Sequence, residues 1–302
     1  MRFRIRPDKP FTDQIHKVAG KQLRLAVSLL EQRPDGLHEA IHDARRCFKR
    51  LRALYRLVRT EAKDFQKQEN ARLRDIGQSL SATRDATSLI EACDYLGNYA
   101  GADKEEKALA RVSVALTARR DRIASGDADI EERIAAAISG CHDAQRAMDN
   151  LVFDDDPSVA AAIVSGGWSK TATHARTALE ECRKDSGPEV FHTLRKRSQD
   201  YWMYTQLLAD IWPTAMGAKQ AEAKHLIDVL GHNNDLFLLL DVANAEPDLF
   251  SKGKDRGLLF DAIMARQKQL RANAVEDADV VFADDPEVEG RIIGKLWVLA
   301  AG

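Results

Sequence analysis

Two histidines have the most chemically suggestive surroundings in this sequence. His42 is followed by Arg45, Arg46, Lys49, Arg50, Arg52, Arg56 and Arg59, and within 37–59 only Glu39 and Asp43 oppose these seven cations. His192 is followed by Arg195, Lys196 and Arg197, after which Gln199, Asp200 and Trp202 stand in place of Lys49, Arg50 and Arg52. Arginine forks bind phosphate oxygens in pairs, lysine adds compact charge, and an imidazole near neutral pH adds a donor. Wound as an α-helix at about 100° per residue, 37–59 places His42, Arg45, Lys49, Arg52 and Arg56 in a sector of about 80°. Leu37, Ala44, Cys47, Phe48, Leu51, Leu54, Tyr55 and Val58 fall on the opposite side, as a core-facing stripe does. Like charges at i,i+3 and i,i+4 repel by a few tenths of a kcal/mol. A stripe of one sign therefore implies an anionic partner, or an acidic face elsewhere in the fold. The cations run about 20 Å along the helix at 1.5 Å per residue, which suits a linear polyanion better than one small ligand.

Other chemistries have weaker support. His38-Glu39-Ala40-Ile41-His42 matches HExxH, which on a helix could hold zinc with a glutamate base. The extended metzincin form needs Gly and His where Arg45 and Phe48 stand, and Arg45 and Lys49 would repel a dication. His42, His192, His225 and His232 lack a tight ligand spacing, so no metal and no cofactor is expected. The stripe has no interleaved aromatics for base stacking, which argues against nucleic acid. There is no Walker A loop, no GxGxxG and no GxSxG. The remaining alternatives are a metal-binding or phospho-accepting His42 or His192, as an enzyme or accessory domain, and a scaffold whose basic face meets an acidic protein. Arg84, Asp85 and Asp235 read as helix-start residues. Trp168, Trp202, Trp212 and Trp297 read as core or interface anchors.

The elements that must hold these residues are helical. The chain has 302 residues, 44% hydrophobic and 30% charged, with aromatics at only 6%, which favours helix over sheet. A net charge of -2 excludes a globally basic binder. Helical periodicity runs from Ile15 to a stop at Pro34-Asp35-Gly36, then over about 37–60, 64–81, 84–98, 104–124 and 129–150. After Asp154-Asp155-Asp156-Pro157, a linker or helix start, it resumes over about 158–183, 189–211, 217–230, 233–244, 255–274 and 286–300. Only Phe3–Arg6 could be a short strand. Cys47, Cys93, Cys141 and Cys182 are far apart, so reduced thiols are expected. The basic start lacks the apolar stretch of a signal peptide, and no run of about 18 apolar residues exists. These features fit a cytoplasmic protein with no membrane span.

A shift of 150 residues aligns Glu39 with Glu189, His42 with His192, Arg45 with Arg195 and Arg46 with Lys196. It also aligns Arg74 with Lys224, Leu80 with Leu230, Asp85 with Asp235 and Leu89 with Leu239. Shared amphipathicity explains the leucines but not the His, Arg and Asp. The expectation is an all-α protein of two four-helix-type bundles, 1–153 and 154–302, related by a pseudo-two-fold axis.

At these residues the chain resembles a known family. His42-x-x-Arg45-x-x-x-Lys49-Arg50-Leu51-Arg52 and Leu80-Ser81-x-x-Arg84-Asp85 are similar to the motifs of the conserved histidine α-helical domain, CHAD. Phe191-His192-x-Leu194-Arg195-Lys196-Arg197 and Leu230-Gly231-x-x-Asn234-Asp235 repeat them. Phe3–Asp8 and Arg291–Trp297 also look family-like, so the resemblance extends over essentially the whole chain. It implies two four-helix bundles with a basic cleft between them, and binding of inorganic polyphosphate, often with localisation to polyphosphate granules. Family positions carry over to His42, Arg45, Lys49, Arg50, Arg52, His192, Arg195 and Lys196, and the stripe and repeat add Arg46, Arg56 and Lys224. Gln199 and Asp200 stand where many members are basic. Some relatives carry a triphosphate-hydrolysing CYTH domain; nothing here resembles it, so binding without catalysis is expected.

Overall fold

A computed structural model describes residues 3–126, 128–250 and 253–302, with side chains described at all of these except 82–85. Arg84 and Asp85 therefore lie outside the described side chains. The described residues form an all-α fold: α1 Phe11–Gln32, α2 Leu37–Leu57, α3 Lys63–Ser79, α4 Ala82–Gly97, α5 Asp103–Gly126, α6 Ile130–Met148, α7 Pro157–Lys184, α8 Pro188–Leu207, α9 Pro213–Ala245, α10 Gly253–Val281 and α11 Pro286–Ala301. No described helix is long and apolar enough to cross a membrane.

Local chemistry sets most boundaries. α1 ends where Arg33 adopts a left-handed φ of 48°, and Gly36 takes a φ of 90° that suits glycine before α2 begins. The acid-plus-proline signal at 154–157 is a helix start. Asp156 caps α7 by accepting from the Ser158 amide at 2.7 Å, with Pro157 as the first helical residue. Asp285 and Pro286 start α11 in the same way, Asp285 accepting from the Glu287 and Val288 amides.

Two expectations are corrected. The stretches 217–230 and 233–244 are one helix, α9, 33 residues long. A glycine inside a helix costs about 1 kcal/mol, and Leu226, Leu230, Leu236 and Leu239, buried on both sides of Gly231, outweigh it. Phe3–Arg6 is not a strand. Its ordering comes from burial of Phe3 and Ile5 and from single bonds, Ile5 N–H to the Leu207 carbonyl at 3.0 Å and Arg6 N–H to Gln14 Oε1 at 3.2 Å. A helix end offers only the few carbonyls of its last turn, not a ladder.

Packing places α2 at the junction. α1, α2, α3 and α6 pack side by side in a closed ring. α7 packs on α8 and α11, α8 on α9, and α9 on α10. The α4–α5 hairpin of the first half lies on α9 and α10 of the second, and α2 meets α7 and α8. One continuous apolar core spans both halves. Phe11 of α1 touches Trp297 of α11 edge-on at 5.6 Å, and Trp168 lies among Tyr201 and Tyr204. Trp212 is the exception among the expected anchors; it is 47% exposed at the start of α9.

Candidate functional site: a cationic cluster between two helices

The apolar stripe of α2 enters the core as its spacing requires. Ala44, Cys47, Phe48, Leu51, Leu54, Tyr55 and Val58 are all buried, and Leu37 packs at the edge. That fixes the rotation of the helix and turns the charged sector away from the core.

α8 presents its cations toward the end of that sector. Arg56 Nη1 lies 2.7 Å from Asp200 Oδ1, and Arg197 Nη1 is 3.9 Å from the other carboxylate oxygen. Asp200 is only 5% exposed. Burial pushes its carboxyl upward, while Arg56, Arg197 and Arg52 pull it back down. The Arg52 guanidinium is lowered to about 10, first by burial and then by Arg56. Its Nε is buried without a hydrogen-bond partner. Lys196 is lowered by burial, with Glu189 opposing and Arg197, Arg52 and Arg56 adding to the effect. Four cations from two helices, Arg52, Arg56, Lys196 and Arg197, thus gather closely enough to act on one another, and Arg52, Arg56 and Arg197 also act on one buried acid.

The other expected residues divide. His42, Arg45 and Lys49 lie on the same side of α2; His42 is half-buried and Lys49 exposed. Arg45 donates to the Gly77 carbonyl of α3. Arg46 instead pairs with Asp43 at 2.8 Å on the exposed flank. Arg50 packs over the Phe3 ring at 5.6 Å. Lys224 pairs with Asp228 one turn along α9 at 2.6 Å. Lys224 and Asp228 form a surface pair of the kind that contributes under about 0.5 kcal/mol.

In the second half, His192 Nδ1 meets Asn234 Oδ1 at 2.8 Å. Burial lowers its pKa first, followed by Lys196; the Asn234 bond raises it, and Arg195 lowers it further. Arg195 lies against Gly231, and its Nε is buried with no acceptor.

Some contributors escaped sequence reasoning. His174 of α7 is lowered by burial and then by Arg197, Arg59 and Lys170, so these cations border the same cluster. An open groove of about 330 Å³ between α7 and α8 is lined by His174, Thr177, Glu181, Glu189, Thr193 and Arg197. The i,i+4 spacing of Lys170 and His174 was a usable signal, but no run of like charge drew attention to it. The remaining histidines have separate roles. His232 stacks on Tyr95 with centroids 3.9 Å apart, and His225 is 3.5 Å from Asp277. No three His, Cys, Asp or Glu side chains among the described residues converge as a metal site would need.

A comparison with curated proteins gives no match. A scan against family models matches the CHAD domain over residues 19–244. The match takes in both histidine-bearing helices, α2 and α8, and leaves the opening Phe3–Asp8 and closing Arg291–Trp297 motifs outside it. With the greater part of its length matched, including every helix of the cationic cluster, the chain belongs to the CHAD domain family.

Proposed function

We propose that this protein binds inorganic polyphosphate, without catalysis, along a basic cleft between two repeated halves. The observation that carries the reading is the meeting of Arg52 and Arg56 of α2 with Lys196 and Arg197 of α8 across a seam where Arg56 and Arg197 flank Asp200. Opposing helices that each supply arginine forks can grip successive phosphates of one chain, and burial of the guanidinium stems strengthens each contact. His42, Arg45 and Lys49 extend the same face toward the start of α2.

The helix boundaries support the repeat. α2 and α8 end at Leu57 and Leu207, and α3 and α9 begin at Lys63 and Pro213, each pair 150 residues apart. Under this reading the protein would gather wherever polyphosphate accumulates, cytoplasmic granules included.

Calorimetric titration with long-chain polyphosphate tests the proposal, with wild type compared with the K49E/R52Q variant. Each charged contact removed should cost about 1.5–3 kcal/mol, so the variant should bind at least tenfold more weakly with unchanged circular dichroism. Affinity should also fall steeply with salt as counterion release is lost. Heat signals that ignore both the substitutions and the salt would overturn the reading, and steady release of phosphate would overturn its non-catalytic part.

A further inference from the structure

The junction of α8, α9 and α10 holds guanidinium groups under different conditions from those at Asp200. Arg271 of α10 lies over the Phe191 ring of α8 at 5.7 Å. Its Nε donates to Asn233 Oδ1 at 3.3 Å and its Nη2 to Gln267 Oε1 at 3.4 Å. Both acceptors are neutral amides. Among the described residues Arg271 makes no ion pair, although it is partly buried. One residue along α9, Asn234 accepts from His192, and its own amide donates to Asp235 at 3.2 Å, which sets the amide's orientation. Arg195, one turn beyond Phe191 and His192, has the buried Nε without an acceptor. Adjacent asparagines on α9 therefore hold a cation of α10 and the imidazole of α8. Arg271 and Lys268 also line an open depression of about 500 Å³ with Met264, Ala265 and Gln267.

A carboxylate beside a guanidinium orients it but cancels its charge, as Asp200 does for Arg56. An amide orients it and leaves the charge to act outward. A desolvated cation without a counterion is unfavourable alone, and an anion arriving beside it removes that penalty.

We infer that Arg271, with Lys268 on the same depression, forms a second anion-binding subsite that takes phosphate oxygens of a condensed phosphate. This rests on the polyphosphate reading and extends it. The second half, which has Gln199 and Asp200 on α8 where cations were expected, recovers positive charge from another helix. Arg271 lies outside the family match at 19–244, so the motif positions do not include it.

The test is calorimetric titration of the full chain with long-chain polyphosphate, using wild type, R52Q, R271Q and R271K. R271Q should weaken binding about tenfold, and R271K should recover only part of it, because an ammonium lacks the planar fork. N233D provides a second route that deletes nothing: a carboxylate beside Arg271 should weaken binding about fivefold while leaving the melting temperature equal or higher. If R271Q unfolds, N233D decides the matter. R271Q and N233D titrating like wild type, while R52Q is weakened, would overturn the subsite and leave the broader reading standing. Absence of binding by wild type itself would overturn both.

Discussion

Arg56 of α2 and Asp200 of α8 form a 2.7 Å ion pair across the seam between the two histidine-bearing helices, with the acid 5% exposed. The pair ties the halves together and also subtracts one charge from the cluster. Replacing Asp200 with Asn keeps the shape and one acceptor but removes the charge. Breaking a buried pair on one side costs about 3 kcal/mol or more, so D200N should melt lower without ligand. It should bind polyphosphate about fivefold more tightly, since one nearby charge contributes roughly 1 kcal/mol at such partly wet sites. Thermal melts and calorimetry on the same samples check both signs. Weaker binding by a folded D200N would mean that the acid builds the cluster more than it opposes the ligand.

The approach of α7 to the end of α2 depends on Gly167. A Cβ there would lie 2.1 Å from the Leu57 carbonyl oxygen, a backbone atom that cannot swing away. G167A should cost about 3 kcal/mol, at the upper end of overpacking, and should weaken ligand binding because α2 carries Arg52 and Arg56. Gly217, near the start of α9, meets nothing within 4 Å; G217A should stabilise by about 1 kcal/mol through helix propensity alone. Opposite shifts in chemical denaturation midpoints are the expected result.

His174, His192 and His232 are all held below the ordinary histidine value of 6.5, chiefly by burial. Near and below that value the unfolded chain takes up protons that the folded chain refuses. Stability without ligand should therefore be unaffected by these groups well above 6.5 and fall as pH drops through it. Phosphate beside His192 would reverse the local preference, so binding should take up protons and tighten from pH 8 toward 6. H192Q should flatten that second trend. Melting curves and titrations in two buffers of different ionisation heat read the two effects separately.

The four cysteines should be silent in the folded protein. Burial pushes Cys47 up to about 11 and Cys93, Cys141 and Cys182 up to about 12, so thiolate is scarce at pH 8. A colorimetric thiol reagent should react slowly with the native chain and release four equivalents once guanidinium unfolds it. Rapid reaction at one thiol under native conditions would contradict the buried placement.

The readable parts of this protein were those that depend on neighbours in sequence. The apolar register of α2 was legible because a 3.6-residue period admits one rotation against a core, and each of those side chains is buried or packed at the edge. The Asp156-Pro157 start was legible as one of two readings, linker or helix start, because cap chemistry is local. α9 was not, since burial on both sides of Gly231 overrides a local weakness that spacing alone reads as a break. Arg46, Arg50 and Lys224 share the sign of the stripe but find Asp43, Phe3 and Asp228.

The sequence by itself determined the helical fold, the charged face of α2 and the echo of that face 150 residues later, because each follows from periodicity and residue type along one chain. Only the tertiary structure decided which cations meet. Arg56 faces Asp200 from 144 residues away, and Arg271 reaches Asn233 from another helix. Electrostatic fields act through space, so partners brought together by packing leave no mark in the spacing of either segment.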